Sequence, residues 1–171
     1  MKKVKCMFFI VLALALLIIG VYKNMDEGAD AKGSLDYYML ADYDRVIRET
    51  ELREDGLQYP DSKEVMERMV ELNANTYAHL IWRSEADWKA LPEMAKEAEK
   101  AGIKLIAYLV PPSEGNVIGK PVPFGYDYLM WAVEIAKIAK EYPALIGIAM
   151  DDFSHNLGFF TPSYVRNMMN K

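Results

Sequence analysis

The chain has 171 residues, 52% of them hydrophobic and 26% charged, with a formal net charge of −5. This suits one globular domain, leaves no room for a second large one, and argues against a disordered chain. One cysteine and two histidines leave no internal disulfide framework and argue against a cysteine-based or multi-histidine metal site.

The N-terminus differs from the rest. Lys2, Lys3 and Lys5 precede an uncharged run of 17 residues from Cys6 to Tyr22. A basic start followed by an apolar run is the layout of a secretory signal or a signal-anchor. The run is slightly shorter than the roughly 20 residues that usually span a bilayer. Gly20 is followed by Val21, Tyr22 and Lys23, a poor cleavage site, and Ala29-Asp30-Ala31 fits one but lies far downstream. An N-terminal apolar helix over 1–23 is therefore expected, cleaved or kept as a membrane anchor, with 24–34 as a linker. Four of the 20 basic residues lie in the first 23 positions with no acid among them, leaving 16 basic against 25 acidic residues beyond. Such an acidic body argues against nucleic acid as a partner. With lysines before the anchor, it fits an exported domain, membrane-anchored or secreted.

Beyond the linker, Leu35–Ala41 reads as a first strand. The charged stretch 42–62 reads as a loop with a helical turn near Tyr43–Glu51. Asp61 or Ser62 opens a helix with Val65, Met66, Met69 and Val70 on one face. Thr76–Trp82 is β-branched and aromatic, a second strand. Ser84 and Asp87 have capping-box spacing. The helix they open carries Trp88, Leu91, Ala95 and Ala98 on one side, and Gly102 sits where a left-handed C-terminal residue is wanted. A third strand, Ile103–Val110, ends at Pro111-Pro112. Tyr126–Tyr142 reads as a helix with a stripe of Leu129, Ala132, Val133 and Ala136. Ala144–Met150 is a fourth strand, and Thr161-Pro162 announces a last helix. Alternating strands and helices with short connections predict an α/β fold of parallel βα repeats, either an open doubly wound sheet or the first half of a (β/α)₈ barrel. No G-x-G-x-x-G or P-loop motif occurs, so no nucleotide cofactor is expected, nor any other cofactor.

The chemistry concentrates at the end of strand four, in PALIGIAMDDFSHN. An apolar run stops at two adjacent carboxylates, Asp151 and Asp152, followed by His155 and Asn156. Ligands bind at the carboxyl ends of parallel strands, so paired acids there suggest acid–base work on an uncharged substrate. The alternative for one of the two is to cap its loop through backbone N–H groups, and His155 and Asn156 either contact a ligand or cap the same loop. Trp82 and Arg83 end strand two, where an indole and a guanidinium suit a sugar; packing under a loop and plain solvation are the alternatives. Tyr38, Asp42 and Tyr108 lie on or near strand ends, and Tyr37, Tyr38 and Tyr108 also suit a core. Glu114, after strand three, is a second-choice acid. His79, among apolar residues, reads as a hydrogen-bonded core histidine.

The units NTYAHLIW, IKLIAYLVPP and PALIGIAMDDF, with DYYMLADY as strand one, resemble the first four strands of a TIM-barrel glycoside hydrolase. The resemblance spans roughly residues 35–171 as a pattern, and its specific part is the end of strand four. There it is similar to the O-GlcNAc-removing β-N-acetylglucosaminidases, which carry two adjacent aspartates. It implies a carbohydrate substrate and substrate-assisted cleavage, with Asp151 orienting the acetamido group and Asp152 as general acid, then base. A complete barrel typically needs about 250 residues, and 137 remain from Leu35 to Lys171. The expectation is thus a partial, half TIM barrel with open edges. Such a half is expected to pair with a second copy or a complementing partner, to bind carbohydrate without chemistry, or to be a truncated remnant without independent activity.

Overall fold

In the computed structural model the described residues are 39–43, 47–82, 84–115 and 120–170. The chain divides into two units, Met1–Tyr38 and Met39–Lys171, and the described residues all belong to the second. The apolar helix expected over 1–23, the linker over 24–34 and residues 35–38 of the expected first strand lie outside them. Among the described residues no helix is long and apolar enough to cross a membrane.

Four strands, β1 (Ala41–Tyr43), β2 (Thr76–Ile81), β3 (Lys104–Leu109) and β4 (Leu145–Met150), form one sheet in the order β1-β2-β3-β4. Every pair is parallel. The helices are α1 (Ser62–Glu71), α2 (Glu85–Lys89), α3 (Leu91–Ala101), α4 (Tyr128–Glu141) and α5 (Pro162–Met169). The strand order never reverses, whereas a doubly wound sheet turns back at its switch point. Right-handed crossovers that always step the same way stack their helices on one face. Burial agrees with this. Tyr77, His79 and Ile81 of β2 stand in register with Leu105, Ala107 and Leu109 of β3, and all six are buried. The apolar members of this row join one core with Met66, Met69, Leu91, Met94, Trp131 and Ile135 from the helices. The alternate residues Ala78, Leu80, Ile106 and Tyr108 point to the other face and are only half-buried.

Local signals account for most element ends. Asp61 caps α1 by accepting from the Glu64 amide. Ser84 and Asp87 form the complete capping box of α2. Gly102 closes α3 at φ 70°, and Thr161 caps α5. Five expectations need correction. Within the described residues, strand one runs Ala41–Tyr43, beginning at the last residue of the expected span. Of the expected helical turn over Tyr43–Glu51, Tyr43 ends β1 and residues 44–46 lie outside the described set; residues 48–51 belong to a narrow excursion closed by an antiparallel bridge between Arg48 and Pro60. The helix after Ser84 is two helices, because Pro92 in the first turn of α3 has no N–H to continue α2. In α4 the buried stripe is Tyr128, Trp131, Ala132 and Ile135, one residue out of phase with the expected one. The edge-on cluster of Trp131 with Trp88 and Phe124 holds that phase, at centroid separations of 5.2 and 4.9 Å. Val70, expected on the α1 core face, is exposed.

His79 lies wholly inside this core. Its Nε2 donates to the backbone carbonyl of Asp87 at 2.8 Å, while Nδ1 is buried without a hydrogen-bond partner. Burial lowers the pKa of the ring, so it stays neutral. The unfolded chain takes up this proton near the ordinary histidine value of about 6.5, and the folded chain only at lower pH. The penalty is absent above that value and grows as pH falls towards the folded one. The urea midpoint is expected to fall between pH 7.5 and 5.5, and a His79→Gln variant to show a flatter dependence. An identical slope in both proteins would assign the acid sensitivity to other groups.

Candidate active site

The half-buried face of the sheet ends in a cleft of about 220 Å³, lined by Tyr43, Leu80, Trp82, Tyr108, Val110, Glu114 and Asp151. Alternation explains the membership. In a strand every second side chain shares a face. Leu80 pairs with Tyr108, and Tyr108 with Ala149. Trp82, Val110 and Asp151 each lie two residues further along their strands, at the carboxyl ends. Tyr43 pairs with Ala78 on the same face, and its ring meets that of Tyr108 edge-on at 5.4 Å. Glu114 comes from the 3-10 turn Pro112–Glu114 that follows β3.

Asp151 is the best-anchored polar group of the cleft. Its amide donates to Leu109 O at 2.9 Å, which extends the ladder one residue past β4 and keeps its side chain on the open face. Its Oδ1 accepts from Tyr108 Oη at 2.8 Å and from the Asp152 amide at 2.9 Å. Burial first, and then the bond to Asp151, raise the Tyr108 hydroxyl above the ordinary tyrosine range, so it remains a donor. Both bonds fall on Oδ1, and Oδ2 takes no hydrogen bond from the described residues. Asp152 is built differently. The strand has ended, and Asp152 adopts left-handed φ 37° and ψ 35°, a conformation costing about 1–2 kcal/mol for a residue with a Cβ. Its side chain is 48% exposed, lies 3.6 Å from the exposed His155 ring, and is not part of the cleft wall.

Asn156 ties two loops together. Its Oδ1 accepts from the Ser113 amide at 3.1 Å, and its Nδ2 donates to Ser113 Oγ at 2.9 Å and to Asp152 O at 3.0 Å. With this side chain buried, the turn carrying Glu114 is fixed to the turn carrying the aspartates. The second turn is held from behind by Phe153 stacked on Phe160 at 5.2 Å, and Phe160 in turn meets Tyr128. Tyr128 Oη donates to Val110 O at 2.7 Å, fixing the end of β3. Asn156→Ala is expected to cost about 1–3 kcal/mol, the scale of leaving buried polar groups unpaired. Urea unfolding measures this, and a change below a few tenths would show that the clip carries no stability.

The structure thus brings Trp82, Tyr108 and Asp151 together in the cleft. Asp42 pairs with Tyr77, lies on the opposite face from Tyr43, and accepts from the Tyr43 amide at 2.9 Å. Tyr37, Tyr38 and Arg83 lie outside the described residues. Tyr43 and the apolar floor of Leu80 and Val110 were not singled out from sequence. The stretch from Leu35 to Tyr43 contains Asp-Tyr twice, and the reading of strand one as Leu35–Ala41 stops just short of the second copy. Among the described residues no group of three or more histidine, cysteine, aspartate or glutamate side chains is placed to hold a metal ion. No protein-family model, curated protein or solved structure matches the chain.

Proposed function

We propose that this chain is a glycoside-hydrolase-like protein and that the cleft cleaves a glycosidic bond with Asp151 as its central carboxylate. The observation that carries the reading is Asp151, held by Tyr108 among aromatic walls at the carboxyl ends of parallel strands. Tyr43 and Trp82 offer apolar faces to the C–H side of a sugar ring, and carboxylates bind its hydroxyls. Among the described residues lining the cleft none is basic, which disfavours a phosphorylated or carboxylated ligand. The unreversed strand order supports a partial TIM barrel, because eight such steps close a ring. β1 and β4 are the edges of the four-stranded sheet. Closure then takes four further strands, from a second copy, a partner chain or more of the same protein. The lysine-led apolar segment supports export, with the cleft facing carbohydrate outside the membrane.

A second reading, sugar binding without turnover, is favoured by the size of the cleft. Its volume of about 220 Å³ lies below the roughly 300–1,000 Å³ of most ligand pockets. One experiment separates the two: a panel of aryl glycosides, N-acetylhexosaminides first because of the resemblance at Asp151-Asp152, with binding of the matching free sugars measured in parallel. Turnover that disappears in Asp151→Asn supports hydrolysis. Binding without turnover supports the second reading, and neither result would remove both.

A further inference from the structure

We infer that Glu114 is the proton donor of the cleft, the partner carboxylate that Asp151 requires; this rests on the glycoside-hydrolase reading. Most glycosidases use two carboxyl groups flanking the bond to be cleaved. Sequence adjacency points to Asp152 as the second. The fold points elsewhere, because Glu114 and Asp151 line one cleft while Asp152 does not.

The position of Glu114 is also held from three sides. Its amide donates to Pro111 O at 3.2 Å, and Pro111 is buried. The preceding residue, Ser113, is bound through both its amide and its hydroxyl by Asn156. The following residue is Gly115, where an added Cβ would lie 1.3 Å from Tyr126 Oη. Only glycine lets Tyr126 close against the turn. Proline, clip and glycine together fix a carboxylate in the wall of the cleft that Asp151 also lines, as proton transfer at a fixed atom demands.

The step follows. The glycosidic C–O bond breaks with its electron pair staying on the leaving oxygen, and the Glu114 carboxyl proton passes to that oxygen. A water oxygen forms the new bond to the anomeric carbon and gives its proton to Asp151. Glu114 ends as carboxylate and Asp151 as acid, and proton exchange with solvent resets both.

Leaving-group dependence tests the assignment. Two glycosides of whichever sugar the chain turns over are compared, one with a phenyl and one with a 2,4-dinitrophenyl leaving group. Dinitrophenolate departs without a proton, and phenol does not. Glu114→Gln is expected to lose about 10²–10⁴-fold on the phenyl glycoside, the usual worth of general acid catalysis, and far less on the dinitrophenyl one. The alkaline limb of its pH–rate profile should vanish. Glu114→Asp, which keeps the proton one methylene short, should recover part of the phenyl activity. Equal losses on both substrates, or the leaving-group pattern in Asp152→Asn instead, would overturn the assignment. An active parent with an unimpaired Glu114→Gln variant removes Glu114 alone, whereas a parent inactive on every glycoside removes the hydrolase reading beneath it.

Discussion

Asp151→Asn is expected to lower kcat on aryl glycosides by about 10²–10⁴-fold, the range for losing a positioned acid or base, while leaving folding stability nearly unchanged. The asparagine carbonyl oxygen can still accept from Tyr108 Oη and from the Asp152 amide, the two bonds that Oδ1 takes now. What changes is the second oxygen, which becomes an amide nitrogen unable to accept a proton. Stability and turnover are thereby separated within one side chain. A urea midpoint equal to that of the parent, together with lost turnover, is the expected pair of results. Undiminished turnover would sink the role of Asp151. Tyr108→Phe provides the complementary comparison, because it removes the donor and keeps the carboxylate.

The largest loss of stability is expected from Asp87→Ala, about 3–5 kcal/mol, the scale for breaking a buried ion pair from one side. The Asp87 side chain is 2% exposed and its Oδ1 accepts from Arg48 Nη2 at 2.6 Å. Its Oδ2 takes the Trp82 and Ser84 amides at 3.4 and 3.3 Å. Truncation strands two amides at the entry to α2 and leaves the Arg48 guanidinium, 31% exposed, without its carboxylate. Arg48 also donates to Gln58 O, so the excursion from Arg48 to Pro60 loosens with it. Because Trp82 lines the cleft, ligand affinity should fall alongside stability. Asp87→Asn, which keeps one acceptor, should cost less. Urea unfolding of the three proteins tests this order, and a loss below about 1 kcal/mol in Asp87→Ala would mean that water replaces the pair.

Elements with short-range causes were legible in the sequence. The three longer strands read as strands because apolar and β-branched residues fill them. Ser84 with Asp87, Gly102, and Thr161-Pro162 marked helix ends through bonds reaching only a few residues. The phase of α4 was not legible, because Tyr128–Glu141 carries apolar residues around much of its circumference. Either stripe satisfies a helical period, and contact with Trp88 and Phe124 selects one. The candidate site divides the same way. Trp82, Tyr108 and Asp151 were visible as chemistry-bearing residues near strand ends.

The sequence by itself determined the alternation of strands and helices, the α/β class and the concentration of polar groups after β4, since these depend on composition, period and capping. Only the tertiary structure decided the unreversed order of the four strands and the register that brings Tyr43 beside Tyr108. It alone left Asp152 out of the cleft wall and brought Glu114 into it. Those outcomes depend on pairings between residues far apart in the chain, such as Asn156 with Ser113, 43 positions away. No local periodicity encodes the partner in such a pair. It is chosen by which contacts bury apolar surface while leaving every buried amide a hydrogen bond.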